Sequence, residues 1–424
     1  LLACSVIVAR GGITVSTMNA SKVYFSNSMY LNQAAINPAF NLFSSIRFSQ
    51  QDFASQYRFM PDDEAAKIFE TLHQLPDSVP VLLKTERPDI VFVILESCGS
   101  SALKTKDVMP NMLELSHEGL FFSNMYANSF RTDRGLAAIL AGYPAQPDMS
   151  IIKYPKKTRN MTSIPAILHE NGYNCSYLHG GDVDFANIKS FLINQKITDI
   201  ERDTAFPVKD LLNKWGAPDH ITFPRLLESI NEEARHPSLK IFLTLSSHEP
   251  FDVPFDKFDE PYLNSVAYTD SCFGAFVADL KKSSAWNNTL LIVLPDHAAL
   301  FPSSLAYNSP ARHEIYMLWL GGALNISGNI ARICTQIDLA ATLMAQLKID
   351  ASQLKFSRNI VSPHFTDFAF YTFPNGFGVV NKSSTAVFDC NSNRITTASG
   401  SEADSILLTG KAFLQTLFDD IAKK

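Results

Sequence analysis

Two kinds of hydrophobic pattern divide the chain. From about Ile13 to Pro80, apolar residues recur at helical spacing among Asn, Ser and Gln, in SMYLNQAAINPAFNLFSSI and in DDEAAKIFETLHQL. This predicts a helical arm that wraps onto a following domain. From Arg87-Pro88 the pattern changes. DIVFVIL (Asp89 to Leu95) is a continuous, β-branched apolar run of the kind buried on both faces of a parallel sheet. Further strands are expected in NCSYLHG, KIFLTLSS, TLLIVLPD and EIYMLWLGG. Between them fall NMLELSHEG, the aromatic run LFFSNMYA, and helical patterns after Thr132, over Ile164 to Glu170, in FPRLLESINEEA, over Asn264 to Lys281 and in IDLAATLMAQL. This alternation predicts an α/β fold with a doubly wound, mainly parallel sheet flanked by helices. The last stretch reads differently: FAFYTF, GFGVV, STAVFDC and RITTAS are short strands separated by Pro-Asn-Gly, Asn-Lys-Ser-Ser and Cys-Asn-Ser-Asn turns. A small C-terminal antiparallel sheet is expected there, followed by a helix over Ala403 to Ala422.

Composition narrows the classes. The 424 residues are 46% hydrophobic and 18% charged, an ordinary globular balance that can fill one large core. With a net charge of −6 and no basic run, nucleic acid is not expected as a partner. The opening LLACSVIVARGG carries an apolar run, Leu1 to Ala9, too short to span a bilayer. We read it as the trailing end of a membrane helix. The expected organisation is therefore 1–85 as the end of a membrane anchor and linking arm, 86–362 as a catalytic core, and 363–424 as a sheet and helix of the same unit. Six scattered cysteines without a C-x-x-C pair form neither a disulfide framework nor a zinc knuckle.

Candidate chemistry lies at strand ends, where ligands of open α/β sheets gather. DIVFVIL runs into Glu96, KIFLTLSS into His248, and TLLIVLPD into Asp296-His297. Carboxylates and an imidazole delivered to one edge by separate strands suit a divalent metal. The stretch SFRTDRGLAAILAGYP adds a hydroxyl between charged residues at a helix start. It reads either as an N-cap, which would satisfy orphan N–H groups, or as a nucleophile beside an anion site at the helix N-terminus. Arg131 and Arg134 read likewise as phosphate contacts or as a solvated helix start.

The ordered set "VILES", "MPNMLELSHEGLFFSNMY", "SFRTDRGLAAILAGYP", "YLHGGD", "SSHEPF", "LPDHA" and "IDLAATL" resembles the lipoteichoic acid synthase branch of the alkaline phosphatase and sulfatase superfamily over roughly Pro88 to Ser362. The resemblance implies a bacterial, membrane-anchored enzyme with its catalytic domain facing outward. It implies one divalent metal on Glu96, Thr132, Asp296 and His297, with Mn²⁺ expected and Mg²⁺ or Zn²⁺ as alternatives. Thr132 would be the nucleophile and form a phospho-threonine, with His248 as a substrate-contacting catalytic residue. His179, Asp182 and Phe185 would line the phosphate pocket. The implied reaction transfers a phosphoglycerol-type head group from a phospholipid donor to a glycan or lipid acceptor. Phosphoethanolamine transfer, sulfuric ester hydrolysis and a non-catalytic binding module are the alternatives. Two departures stand out. Where lipoteichoic acid enzymes carry Phe-Trp-Asn-Arg, with Trp and Arg lining the phosphoglycerol site, this chain reads Phe185-Ala186-Asn187-Ile188. Where they carry Asp-His-Gly it reads Asp296-His297-Ala298, a change expected to leave the ligands intact but reshape the following turn.

Overall fold

The computed structural model describes residues 7, 10–13, 15–26, 28–49, 52–73, 79–211 and 214–424. Leu1 to Ala9, read above as the end of a membrane helix, lies outside the described residues except for Ile7. Among the described residues, no helix is long and apolar enough to cross a membrane.

Among those residues, nine strands form the central sheet: β1 (Asp89–Leu95), β2 (Leu120–Tyr126), β3 (Asn174–His179), β4 (Asp199–Glu201), β5 (Ser238–Leu243), β6 (Thr289–Pro295), β7 (Glu314–Leu320), β8 (Gly328–Ile330) and β9 (Cys334–Thr335). Their order is β4-β3-β5-β1-β6-β7-β2-β8, with β9 also paired to β2. From β4 to β6 every pairing is parallel, whereas β7 runs antiparallel to both β6 and β2. The sheet is therefore mainly parallel, as the apolar runs predict. The aromatic run LFFSNMYA is an inner strand, β2. Both faces are covered: two large apolar clusters, one containing Ile90, Phe92 and Ile94 and the other Val91, Val93 and Leu95, sit on opposite sides of β1. Alternate residues of one strand feed different layers because side chains alternate across a pleated sheet.

A second sheet, β10 (Ala369–Phe373), β11 (Gly376–Val380), β12 (Thr385–Asp389) and β13 (Arg394–Ser399), is wholly antiparallel. Helix Ala403–Lys423 follows it, and Phe377, Phe388 and Phe413 join the same apolar cluster as the central sheet. The arm contributes helices Met29–Ala35, Pro38–Ser49 and Asp62–Glu70. Gln415 fastens the last of these by accepting from Phe59 N–H (2.9 Å) and donating to the Met60 carbonyl (2.9 Å). The helix expected to begin at Phe223 starts earlier, at Asp219, and runs to Asn231 with Pro224 inside it. Pro224 misled the reading because it lacks an N–H, yet near the helix start that loss costs only one hydrogen bond.

The register of β1 on β6 positions the site. Asp89 pairs with Thr289 and each following residue with its counterpart up to Leu95 and Pro295, so Glu96 and Asp296 leave the sheet side by side. The ladder continues one step further, with Asp296 N–H donating to the Leu95 carbonyl at 3.1 Å. Helix Thr132–Ala141 is seated directly on this edge. A Cβ at Gly135 would lie 2.3 Å from the Asp296 carbonyl oxygen, so only glycine permits the approach. Buried Gln336 locks the same place by donating to the Pro295 and Asp296 carbonyls (2.7 Å each) while accepting from Asn128 N–H (3.0 Å), just upstream of the helix. Gly135→Ala should therefore cost about 1–3 kcal/mol of stability through overpacking, read as a lower urea midpoint. An unchanged midpoint would mean that helix and strand separate without cost.

Candidate active site

Glu96, Asp296 and His297 converge at the edge of β1 and β6, with one potential ligand atom from each lying within 4.8 Å of the others. His297 Nε2 is 3.4 Å from Glu96 Oε1 and 3.6 Å from Asp296 Oδ2. Both carboxylates are buried. Backbone groups hold the Asp296 side chain, since its Oδ1 accepts from Ser97 N–H (2.9 Å) and His297 N–H (2.7 Å). Its Oδ2 is buried without a hydrogen-bond partner. A buried, unpartnered carboxylate oxygen is costly unless a cation meets it. This orphan atom, together with a second carboxylate and an imidazole, fits a divalent metal ion.

The protonation pattern points the same way. Burial would raise the Glu96 carboxyl, but the hydrogen bond and charge of His297 hold it down at about 2. Burial and then the Glu96 charge push Asp296 up to about 7. Burial opposes charge on His297, yet the Asp296 and Glu96 carboxylates raise it to about 9. The paired carboxylates thus retain a proton on His297 as their counter-charge, in the position where a metal cation would serve.

Thr132 resolves one of the two readings of the helix start. The N-cap is Arg131, exposed and extended (φ −146°, ψ 146°), and Thr132 is the first helical residue. Its hydroxyl donates to Glu96 Oε2 at 3.1 Å. Thr132 therefore faces the carboxylate cluster instead of capping its own helix. Arg134 donates to Ser129 Oγ (3.2 Å) and the Pro147 carbonyl (3.3 Å) and lies over the Phe130 ring.

The remaining candidates form a neighbouring wall. His179 ends β3, buried, with Nδ1 3.0 Å from the Leu243 carbonyl; burial lowers its pKa, which keeps the imidazole neutral. His248 Nδ1 lies 2.7 Å from the Glu249 carbonyl, and the residue stands within electrostatic reach of Glu96. Phe185 meets Trp215 edge-on at 6.0 Å between ring centroids, and Trp215 in turn lies 4.4 Å from the His248 ring. Asp182 is 3.6 Å from Arg202, which also engages Asp184 at 2.9 Å. The structure therefore joins Glu96, Thr132, Asp296 and His297 in one cluster, sets His179, His248 and Phe185 beside it, and ties Asp182 and Arg134 to other groups.

Ala298 leaves the ligands in place. Its methyl fits because Gly99 faces it: a Cβ on Gly99 would come within 2.4 Å of Ala298 Cβ.

Several supporting residues escaped the sequence reading. Thr244 Oγ1 accepts from Glu96 N–H at 2.9 Å, and Ser247 Oγ donates to the Glu96 carbonyl at 2.5 Å. Asp219 accepts from Leu245 N–H (2.9 Å) and Thr269 Oγ1 (2.7 Å), fixing the loop that carries His248. The Ser pair in SSHEPF was a visible signal; Asp219 and Trp215, far off in sequence, gave none.

With this geometry established, the chain's similarities become informative. Residues 88–349, more than half of the chain, match the Sulfatase family model. The chain belongs to the sulfatase family. It is 24% identical over 332 residues to phosphoglycerol transferase I of Xanthomonas campestris pv. campestris (strain B100), covering 72% of this chain and 46% of that protein. It is 25% identical over 236 residues to lipoteichoic acid synthase 2 of Bacillus subtilis (strain 168), covering 50% and 36% respectively. The chain thus spans less than half the length of these curated relatives. Among solved structures, an alkaline phosphatase superfamily protein from Vibrio parahaemolyticus superposes with a TM-score of 0.73 at 23% identity, over 86% of this chain and 97% of that one. The lipoteichoic acid synthase LtaP of Listeria monocytogenes gives 0.71 at 17%, over 85% and 98%. The solved structures show that the chain shares their fold, and the curated relatives it resembles are a phosphoglycerol transferase and a lipoteichoic acid synthase.

Metal affinity should depend steeply on pH. A metal needs neutral His297 and ionised Asp296, so binding expels their protons; affinity should rise about tenfold per pH unit for each proton released. One proton is displaced between about pH 7 and 9, and a second below about 7. Calorimetric Mn²⁺ titration across this range checks the slope, which Asp296→Asn should flatten below pH 7. A pH-independent affinity would remove these residues from the site.

Proposed function

We propose that this chain is the catalytic part of a metal-dependent transferase that moves a phosphoglycerol-type head group from a phospholipid to a glycan or lipid acceptor at the outer face of a bacterial membrane. The observation that carries the proposal is the Thr132 hydroxyl, released from capping and bonded to Glu96 beside the Asp296–His297 pair. In this reading the hydroxyl oxygen attacks phosphorus while the bond from phosphorus to the lipid alcohol breaks and that alcohol takes a proton. An acceptor hydroxyl then attacks the phospho-threonine, the Thr132 oxygen leaves, and it regains a proton. Water as acceptor would give hydrolysis by the same path.

A divalent ion held by Glu96, Asp296, His297 and Thr132, with Mn²⁺ expected and Mg²⁺ or Zn²⁺ able to use the same donors, would lower the hydroxyl's pKa and offset phosphate charge. The chain's own groups supply the rest. Glu96 orients the nucleophile through its 3.1 Å bond. The first turn of helix Thr132–Ala141 contributes free N–H groups and the positive end of its dipole, both of which favour an anion. Neutral His179 and the His248 ring flank the approach as substrate contacts. Sulfate-ester cleavage is disfavoured because the nucleophile position carries Thr132, where sulfatases need a Cys or Ser for conversion to formylglycine.

The test pairs rate with stability in Thr132 variants. Thr132→Ala should lower metal-dependent release of p-nitrophenol from bis-p-nitrophenyl phosphate by at least about a thousandfold. Its unfolding free energy should stay within about 1 kcal/mol of the parent, since only one side-chain hydrogen bond is lost. Thr132→Ser should keep measurable turnover. A near-normal rate in Thr132→Ala would leave the threonine a structural residue only.

A further inference from the structure

Two helices of the arm, Met29–Ala35 and Pro38–Ser49, are built inside out. A helix on the surface of a globular protein turns its apolar stripe to the core and its polar face to water. Here the buried residue of the first helix is Asn32, while Tyr30 is 80% exposed and Leu31 44%. Asn32 is tolerated inside because its carboxamide is bonded: Oδ1 accepts from Phe25 N–H (3.0 Å) and Ser26 N–H (3.1 Å), and Nδ2 donates to the Ser26 carbonyl (2.6 Å). On the second helix Ala39, Leu42 and Phe43 share one face by their i, i+3, i+4 spacing. All three are exposed, Leu42 at 60% and Phe43 at 72%. The half-buried positions fall to Asn41, Ser44 and Ser45, together with Phe40.

Charge adds a second observation. Residues 1–51 contain Arg10, Lys22 and Arg47 and neither Asp nor Glu, in a chain that carries 42 acidic residues and a net charge of −6. Arg47 follows Phe43 by four positions, the spacing of neighbours along one helix face. An outward apolar face that includes Tyr and has only basic charges near it suits a segment lying in a lipid interface. The uniform positive sign suits anionic head groups.

The arm is also clasped to the core close to the candidate site. Asn19 Nδ2 donates to the Asp184 carbonyl (2.9 Å), and Ser190 N–H donates to Ser21 Oγ (2.7 Å). Asp184 stands between Asp182 and Phe185, in the segment that follows His179.

We infer that helices Met29–Ala35 and Pro38–Ser49 form a lipid-binding surface that seats Tyr30, Leu31, Leu42 and Phe43 in the head-group boundary of an anionic bilayer. The helices lie on the membrane and do not cross it. The longer one, of 12 residues, reaches only about 18 Å, against a hydrocarbon core of about 30 Å. Through the clasp on Asp184 this surface also sets how far the site stands from the bilayer. That consequence rests on the transferase reading above; the lipid binding itself does not.

The test is co-sedimentation of the full chain with vesicles of mixed phosphatidylglycerol and phosphatidylcholine, and with vesicles of phosphatidylcholine alone. Mixed vesicles should bind at least about tenfold more tightly, an advantage that shrinks as salt is raised. The double variant Leu42→Ser/Phe43→Ser should lose at least about tenfold in affinity for mixed vesicles. Its thermal unfolding and its rate on bis-p-nitrophenyl phosphate should match the parent's, because both side chains are exposed without lipid. Arg47→Glu should lose about tenfold on mixed vesicles and little on phosphatidylcholine alone. The apolar run Leu1 to Ala9 is common to all these proteins and so does not produce the differences. Equal binding by parent and double variant, equal binding to both kinds of vesicle, or binding to neither would overturn the inference. So would dimerisation through this face, seen as a sedimentation-velocity mass in lipid-free buffer that falls in the double variant. Vesicle binding by a protein that fails the Thr132 diesterase test would keep the surface and refute the transferase reading; normal diesterase rates without vesicle binding would do the reverse.

Discussion

Two buried carboxylates forced side by side are the constraint on which the site depends. The residue-for-residue register of β1 on β6 brings Glu96 and Asp296 out of the sheet together, and the surrounding strands bury both. Like charges within 4.8 Å repel by about 3 kcal/mol even at an effective dielectric constant near 20. The arrangement is tolerable only with a positive charge between them. His297 fills that need when protonated, at the cost of leaving Asp296 Oδ2 without a hydrogen bond. A divalent metal would satisfy all three groups at once.

The neighbouring structure serves to hold this strained edge in place. Gly135 lets the Thr132–Ala141 helix rest on the Asp296 backbone, and Gln336 links the end of β6 to the segment before Thr132. Ser97 turns the chain away from Glu96 in a left-handed conformation (φ 58°), secured by its N–H on Asp296 and by Tyr262, whose hydroxyl donates to the Ser97 carbonyl at 2.8 Å. The Gly99–Ala298 contact shows how a local change is absorbed: the methyl that could have displaced the His297 turn occupies space that a second glycine leaves open.

What could be read from the sequence follows from how local each signal is. Apolar runs such as DIVFVIL and TLLIVLPD identify buried strands because burial on both faces demands unbroken hydrophobicity, and their polar terminal residues mark the ligand edge. Glu96, Asp296 and His297 were legible for that reason, and Thr132 through its place in an ordered set of motifs. The antiparallel course of β7 was not legible, since EIYMLWL is as uniformly buried as its parallel neighbours and carries no directional mark. Trp215 was hidden because a glycine-mediated clasp between segments more than thirty residues apart brings it beside His248. Asp182 shows the converse: a motif position can match while its side chain is drawn towards a local partner, Arg202.

The central claim is that Thr132, held against the carboxylate pair, is the atom that receives the phosphoryl group. Peptide mass spectrometry after incubation with a phosphoglycerol lipid and Mn²⁺, quenched in acid, reads this directly. The account predicts a glycerophosphoryl adduct on the Thr132 peptide, absent in Thr132→Ala and absent when metal is removed by a chelator. Lipid turnover with no adduct on Thr132, or with the adduct on Ser97 instead, would contradict it.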